Sequence, residues 1–163
     1  MSMFESRDYR WRETYFVLFK AQKRPKLKKM QQVLGELSDH YTLQNPTGDD
    51  EGRLESLTLI SPDDFAALDI CYVEGEEVAE QVSGLLKELK SAELGEKGPK
   101  QLKRLADCNA RLDVLHFEQI ADEEEDEEEV LDPTALLLVL AALAKATDGL
   151  AIDPQSGTIL DEE

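Results

Sequence analysis

The chain has 163 residues, of which 41% are hydrophobic and 33% are charged, and its formal net charge is −18. This length suits one domain with its own hydrophobic core, and the clustering of apolar residues excludes wholesale disorder. The charge excludes a general affinity for nucleic acids or anionic membranes, because most of the surface repels polyanions.

The first half of the chain combines strand and helix patterns. Aromatic and β-branched residues predict a strand over residues 13–20. Apolar residues at three- and four-residue spacing predict an amphipathic helix over residues 25–38. Short strands are predicted over residues 40–45 and 53–61, joined by turn residues, and a fourth strand over residues 65–75.

The second half begins with a predicted helix over residues 76–90, whose first turn is rich in acids. A short helix over residues 100–108 and a strand over residues 110–120 follow. A helix over residues 134–147 is apolar on nearly every side, so we expect most of it to be buried. We expect Gly149 to end this helix with a positive φ. The last predicted pairing elements are residues 150–153 and 158–160.

This order of elements predicts an α+β fold. We expect a mostly antiparallel sheet of five or six strands with the helices packed on one face. The opening β-α-β-β order is compatible with part of a ferredoxin-like unit. The whole chain, residues 1–163, is predicted to be a single domain, with an acidic internal loop over residues 121–131 and an acidic tail over residues 161–163.

The acidic loop contains eight consecutive carboxylates. Such a run is expected to be extended and hydrated, because neighbouring carboxylates repel each other and bury nothing. It is either a solvated connector or an electrostatic arm for a basic protein partner, and it has no scaffold that would hold a metal ion. The partner-binding candidates in this run are Asp122, Glu123, Glu124, Glu125, Asp126, Glu127, Glu128 and Glu129.

Positive charge is concentrated at the N-terminal end, where residues 1–30 hold nine Lys and Arg against three acids. Within this segment Arg10, Trp11 and Arg12 combine arginine with an aromatic ring, as interface hot spots do. The segment would either pair with the protein's own acids or contact another protein. Nucleic acid is the disfavoured alternative, because of the overall charge.

One group of residues is a candidate for catalysis. The alternation of the fourth strand places Asp69 and Cys71 on one face, and His116 lies on a different strand. If those strands were neighbours in register, the three could form a nucleophilic Cys-His-Asp group. The competing interpretation is a buried thiol and a structural histidine. No GxGxxG, GxSxG, HExxH or phosphate-loop motif occurs, so the sequence implies no cofactor and no metal and favours a non-enzyme.

The C-terminal segment from residue 132 onward resembles the end of certain uncharacterised bacterial α+β proteins. The resemblance rests on an apolar helix followed by "TDGLAIDPQSG" at residues 147–157. In size and charge such proteins resemble immunity or adaptor proteins. The resemblance implies a bacterial protein with a binding function and carries over no catalytic residue.

The sequence therefore predicts a non-catalytic acidic interaction module that binds a basic protein, and the resemblance implies that it is immunity- or adaptor-like. One alternative is a small enzyme or ligand-binding domain with a pocket between sheet and helices. The other is a structural subunit of a homo-oligomer. With two cysteines, no signal pattern and no apolar run long enough for a membrane span, we expect a cytoplasmic protein that binds neither nucleic acid nor membrane.

Overall fold

A computed structural model describes residues 9–61, 66–90, 98–119, 134–152 and 159–160 of the chain. Seven strands and four α-helices follow one another along the described residues. They are β1 Tyr9–Phe19, α1 Leu27–Gly35, β2 Thr42–Gly48, β3 Leu54–Ser61, β4 Ala66–Glu74, α2 Glu76–Lys90, α3 Gly98–Ala106, β5 Ala110–Gln119, α4 Thr134–Thr147, β6 Leu150–Ile152 and β7 Ile159–Leu160.

The strands form one sheet in the order β2-β3-β4-β5-β1-β6-β7. All of its ladders are antiparallel, which confirms the predicted α+β class and sheet type. The described sheet has seven strands because the predicted pairing near the C-terminus forms β7, a strand of two residues. A ferredoxin-like unit is not seen among these strands, since α1 joins β1 to β2 and three strands separate that pair.

The helices lie on both faces of the sheet, so the prediction that they share one face was wrong. Val17 and Phe19 of β1 enter a first core, which α1 and α4 cover. Leu18, between them, enters a second core, which α2 and α3 cover. The physical reason lies in the second half of β1, where the five successive residues 15–19 are all apolar or aromatic. A strand of that kind requires cover on both faces.

The two cores differ in size. The first core is built by leucines of β3, β4 and β5 together with the inward sides of α1 and α4. The second core occupies one end of the opposite face, near β1 and β6. Its buried members are Leu18, Val78, Val82, Leu85, Leu105, Cys108, Leu150 and Ile152.

The junction between α4 and β6 brings the backbone unusually close to β1. Asp148, and not Gly149, has the positive φ, at 54°. A Cβ atom added at Gly149 would lie 2.5 Å from the carbonyl oxygen of Leu18 and 2.9 Å from the Cβ of Phe19. The glycine is therefore required for close packing against the central strand, whereas we expected it to supply the turn.

This close approach predicts opposite effects for two glycine substitutions. Gly149→Ala should lower the free energy of unfolding by roughly 2 kcal/mol or more, because the methyl group would displace β1. Gly84→Ala, in the exposed interior of α2 where an added Cβ meets nothing within 4 Å, should raise it by about 0.5–1 kcal/mol. Urea unfolding followed by circular dichroism measures both. Equal stability of the two variants would contradict the packing role of Gly149.

Candidate interaction surface

The outer side of α4 exposes two neighbouring leucines. Leu137 is 53% exposed and Leu138 is 42% exposed, and Ala141 one turn later is also exposed. The inward side of the same helix is buried in the first core, through residues that include Leu136, Val139, Leu140 and Leu143. The expectation that this helix is buried on most sides therefore holds only for its inner half. A helix on one face of a sheet has an outer side that its own core does not cover.

The acidic run at residues 122–129 precedes this helix closely in the chain. Four residues separate Glu129 from Thr134, the first residue of α4. Whatever path the chain takes, this spacing keeps Glu129 within about 18 Å of Thr134, at about 3.6 Å per residue. The run itself, with the predicted loop over residues 121–131 and the tail over residues 161–163, lies outside the described residues.

The aromatic-basic segment contributes one more exposed apolar side chain. Trp11 is 45% exposed, and its indole Nε1 donates a hydrogen bond to Thr14 Oγ1 at 3.0 Å. Arg12 forms an ion pair with Glu118 at 3.3 Å. The side chain of Arg10 lies outside the described residues. Trp11 thus remains a contact candidate, while Arg12 is partly engaged within its own sheet.

Several exposed lysines near α1 make no ion pair with the carboxylates that the structure describes. Lys20, Lys23, Lys28 and Lys29 are exposed. Each of these four lacks a carboxylate within 4 Å among the described residues, whose ion pairs involve arginines and His116 instead. Neutralisation of the protein's own acidic face was one of our expectations for this basic segment. With the acids that the structure describes, these four lysines do not make close pairs of that kind.

The edge of the sheet at β2 is poorly suited to adding another strand. Pro46 lacks a backbone N–H, and the pairing of β2 with β3 is irregular between Gln44 and Thr47 and again before Gly48. Proline and bulges protect exposed edges from pairing with other chains. The outer side of α4 is therefore a better interaction surface than this edge.

The structure does not bring together the three residues proposed for catalysis. In the β4–β5 ladder Leu68 is opposite His116, and Asp69 is opposite Leu115. Leu68 belongs to the first core, so His116 lies on that face of the sheet. Asp69 and Cys71 alternate with Leu68 and project from the other face, as the strand pattern predicted for β4. The sheet itself separates the histidine from the other two side chains.

The surroundings of Asp69, His116 and Cys71 are those of residues that stabilise a fold. Asp69 is buried and accepts a hydrogen bond from Thr58 Oγ1 at 2.6 Å. His116 is buried, with Nδ1 at 3.1 Å from Glu13 Oε1, and its Nε2 has no hydrogen-bond partner among the described residues. Burial, together with the nearby carboxylates of Asp69 and Asp113, raises the pKa of the Cys71 thiol to about 11. At neutral pH this thiol is protonated and is a weak nucleophile.

Cys108, the second cysteine, is also a thiol with a raised pKa. Burial raises the pKa of Cys108 to about 11, and its Sγ donates a hydrogen bond to the carbonyl oxygen of Arg104 at 3.2 Å. Cys108 lines a pocket of about 70 Å³ that also includes Lys20, Lys23, Asp107 and Asp148. This volume suits a few water molecules and is far below the several hundred Å³ of typical ligand sites. Among the described residues, no cluster of three or more His, Cys, Asp or Glu could hold a metal ion.

A buried arginine that sequence reasoning missed connects α2 to the sheet. The guanidinium of Arg111 donates to Asp113 at 2.6 Å, to Gln81 at 2.7 Å and to Glu77 at 3.0 Å. It also lies 5.2 Å from the centre of the Phe16 ring. The available signal was an arginine in a strand otherwise apolar enough to be central, since a charge at such a position requires partners.

Comparisons with known proteins found no relative. No family model, no curated protein and no solved structure matches the chain. The resemblance of the C-terminal segment to bacterial immunity- or adaptor-like proteins thus stays a prediction. In the part of the chain that the structure describes, the helices are all too short or too polar to cross a membrane.

The Arg111 contacts predict a large loss of stability on truncation. Arg111→Ala should lower the free energy of unfolding by about 3 kcal/mol at neutral pH, because it leaves the half-buried Asp113 carboxylate without its cation. Arg104→Ala is the matched control. Its guanidinium is half exposed and pairs with the exposed Asp148 at 3.7 Å, so the loss should be under about 1 kcal/mol.

The loss of stability caused by Arg111→Ala should also depend on pH. Burial raises the pKa of Asp113, and Arg111 opposes that rise. Without Arg111 the folded-state pKa should rise further. A carboxyl whose folded pKa is raised favours folding most below its unfolded pKa, and this contribution is lost as pH rises through the folded pKa. The deficit of Arg111→Ala should therefore be smaller near pH 4 than near pH 7, on the scale of ordinary carboxyl pKa values. An equal deficit at both pH values would contradict this account.

Proposed function

We propose that this chain is a non-catalytic protein-interaction module that binds a partner at the outer side of α4. The observation that carries the proposal is the exposure of Leu137 and Leu138 side by side on that helix. Trp11 and these two leucines are the exposed large hydrophobic residues among those that the structure describes. An exposed apolar patch is typical of a protein-binding site.

The two leucines would supply affinity in the centre of an interface. Outward exposure gives them no role in the first core, whose contacts are made by the inward residues of α4. Removing a half-exposed leucine from water contributes on the order of 1 kcal/mol. A few such anchors typically dominate the binding energy of an interface.

The acidic run would speed association and favour basic partners over others. The eight carboxylates of residues 122–129 precede α4 closely in the chain, and the protein as a whole carries −18. A field of that sign speeds the capture of basic partners, and salt weakens it. The expected partner is therefore a protein that presents apolar side chains beside lysines and arginines.

We also propose that the protein acts in a reducing compartment, because of its two cysteines. Cys71 and Cys108 are both free thiols. Free thiols persist in the cytoplasm, where disulfides are rare. A cytoplasmic site of action, with a cytoplasmic partner, is the prediction that accompanies the interaction function.

Polar replacement of the two leucines should abolish binding without unfolding the protein. The test variant is Leu137→Gln with Leu138→Gln, and its control is Ala79→Gln with Ser83→Gln on the exposed side of α2, on the other face of the sheet. Both should unfold within about 0.5 kcal/mol of the original chain. Proteins captured from extract of the native host, quantified by mass spectrometry, should include one that the α4 variant loses and the control retains.

A third variant separates the role of charge from that of the leucines. Replacing the eight acids of residues 122–129 by their amides should slow association with the captured protein at low salt and leave dissociation nearly unchanged. Stopped-flow or surface-based kinetics over a salt series measures both rates. If all variants retain the same proteins in the same amounts, the outer side of α4 is not the interaction surface.

A further inference from the structure

The charges of α1 run in the opposite order to the one that a helix dipole favours. Its first turn carries Lys28 and Lys29 and no acid, and its N-cap residue Lys26 makes no side-chain cap. Its last turn carries no basic residue, and its C-cap residue is Glu36. Anions are stabilising near a helix N-terminus and cations near a C-terminus, so both ends of α1 carry the unfavourable sign. This charge order therefore lowers the stability of the helix within its own fold.

The described residues do not neutralise these charges by ion pairs. Lys28, Lys29 and Glu36 are exposed, and the described ion pairs involve other residues. Glu36 Oε1 accepts a hydrogen bond from Gln32 Nε2 at 3.4 Å, one turn earlier on the same helix. In the part of the chain that the structure describes, α1 thus presents positive charge at its N-terminal end and negative charge at its C-terminal end.

The outer side of α1 also carries a glycine that the fold itself does not require. Gly35 lies seven residues after Lys28 and three after Gln32, so the three share one side of the helix, and all are exposed. A Cβ added at Gly35 would meet no atom within 4 Å, and its φ is not positive. Glycine destabilises a helix relative to alanine. At this position it leaves room for another backbone to approach closely.

We infer that α1 pairs antiparallel with α1 of a second copy of the chain. In a two-fold contact centred on Gln32, Lys28 is level with Glu36 of the second copy, because each lies four residues, or about 6 Å, from the centre. The symmetry repeats the same contact at the other end, and two-fold dimers are the commonest soluble oligomers. Each end of the helix then meets a charge of the sign that its dipole favours.

The neighbouring helix α4 would supply the apolar part of the contact. α1 and α4 cover the first core together and contact each other. Packed helices lie about 8–10 Å apart, so Leu137 and Leu138 are on the helix beside the paired one, on the same face of the sheet. Ion pairs between exposed side chains add little affinity by themselves. The inference therefore rests, for its affinity, on the proposed role of these two leucines in binding a protein.

A second copy fits this side of the molecule better than another polyanion does. Nucleic acid or an anionic membrane would be attracted by the two lysines but repelled by Glu36 and by the net charge of −18. A second copy carries the complement of both helix ends by symmetry. Two copies also repel each other as whole molecules, over about 30 Å at 0.01 M salt and about 8 Å at 0.15 M. Association should therefore be strongest at intermediate salt and weaker both at 0.01 M and near 1 M.

A charge-reversal series tests the pairing. The first variant, Lys28→Glu with Lys29→Glu, brings acids against Glu36 of the other copy. The second variant, Glu36→Lys, brings a lysine against Lys28 and Lys29. Each variant alone should dimerise at least tenfold more weakly than the original chain. An equimolar mixture should recover the association as a heterodimer, because opposite charges then meet at both ends of the helix pair.

Net charge alone predicts a different order of affinities. Glu36→Lys changes the formal charge from −18 to −16, so a weaker repulsion between whole molecules would strengthen its association. The matched control for the first variant is Lys87→Glu with Lys103→Glu, which has the same net charge of −22. Its two exposed lysines lie on α2 and α3, on the other face of the sheet, and it should dimerise like the original chain.

Sedimentation velocity over a salt series measures the association, and native mass spectrometry identifies the heterodimer by its mass. Urea unfolding at micromolar concentration provides a second readout. The first variant should be more stable than the original chain there, because it places acids at the N-terminus of α1. A gain in stability together with a loss of association separates the contact from any defect in folding.

Two results would overturn the inference. One is a chain that stays monomeric at every salt concentration up to about 1 mM protein, since a useful contact has a smaller Kd than that. The other is a mixture of the two variants that associates no better than either variant alone. Neither result decides the proposed function, because capture of a different protein by Leu137 and Leu138 is measured separately in extract.

Discussion

The burial of β1 on both faces is the constraint on which the rest of the structure depends. Val17, Leu18 and Phe19 are all buried, and hydrogen-bonded strands flank β1 on both sides, β5 on one and β6 on the other. Because alternate residues of a strand point in opposite directions, such a sequence requires two apolar layers. The first core under α1 and α4, the second core under α2 and α3, and the close approach of Gly149 all follow from this requirement. At the edge of the second core, Arg111 of β5 donates hydrogen bonds to Gln81 and Glu77 of α2.

Local patterns in the sequence predicted the individual elements well. The bounds of α2 and α4 agree with the prediction, because each helix has a clear start signal and an unbroken apolar period. The alternation of β4 also predicted which of its residues share a face. The extended β2 was harder to predict. Pro46 reads as a turn residue, yet it lies within an edge strand, where a missing N–H is tolerated.

Relations between distant elements could not be predicted in the same way. Whether helices cover one face of the sheet or both depends on the face against which each helix packs. The run of apolar residues in β1 was the sequence feature that indicated two covered faces. The catalytic hypothesis failed through strand register. A shift of one residue between β4 and β5 would move His116 to the face of Asp69 and Cys71, and sequence alone does not fix that register. The buried partners of Arg111 required the same tertiary information.

The interior of this protein gives little indication of its function, so the charged and the exposed apolar side chains on its surface are the features that indicate one. Both cores are filled by residues that point inward, and the pocket beside Cys108 is too small for an ordinary ligand. The first turn of α1 has lysines in place of acids and no side-chain cap, an arrangement that the helix dipole disfavours. The outer leucines of α4 likewise add little to folding. Residues that do not help the fold at these two neighbouring places are free to serve an interface, and their substitution should separate association from stability.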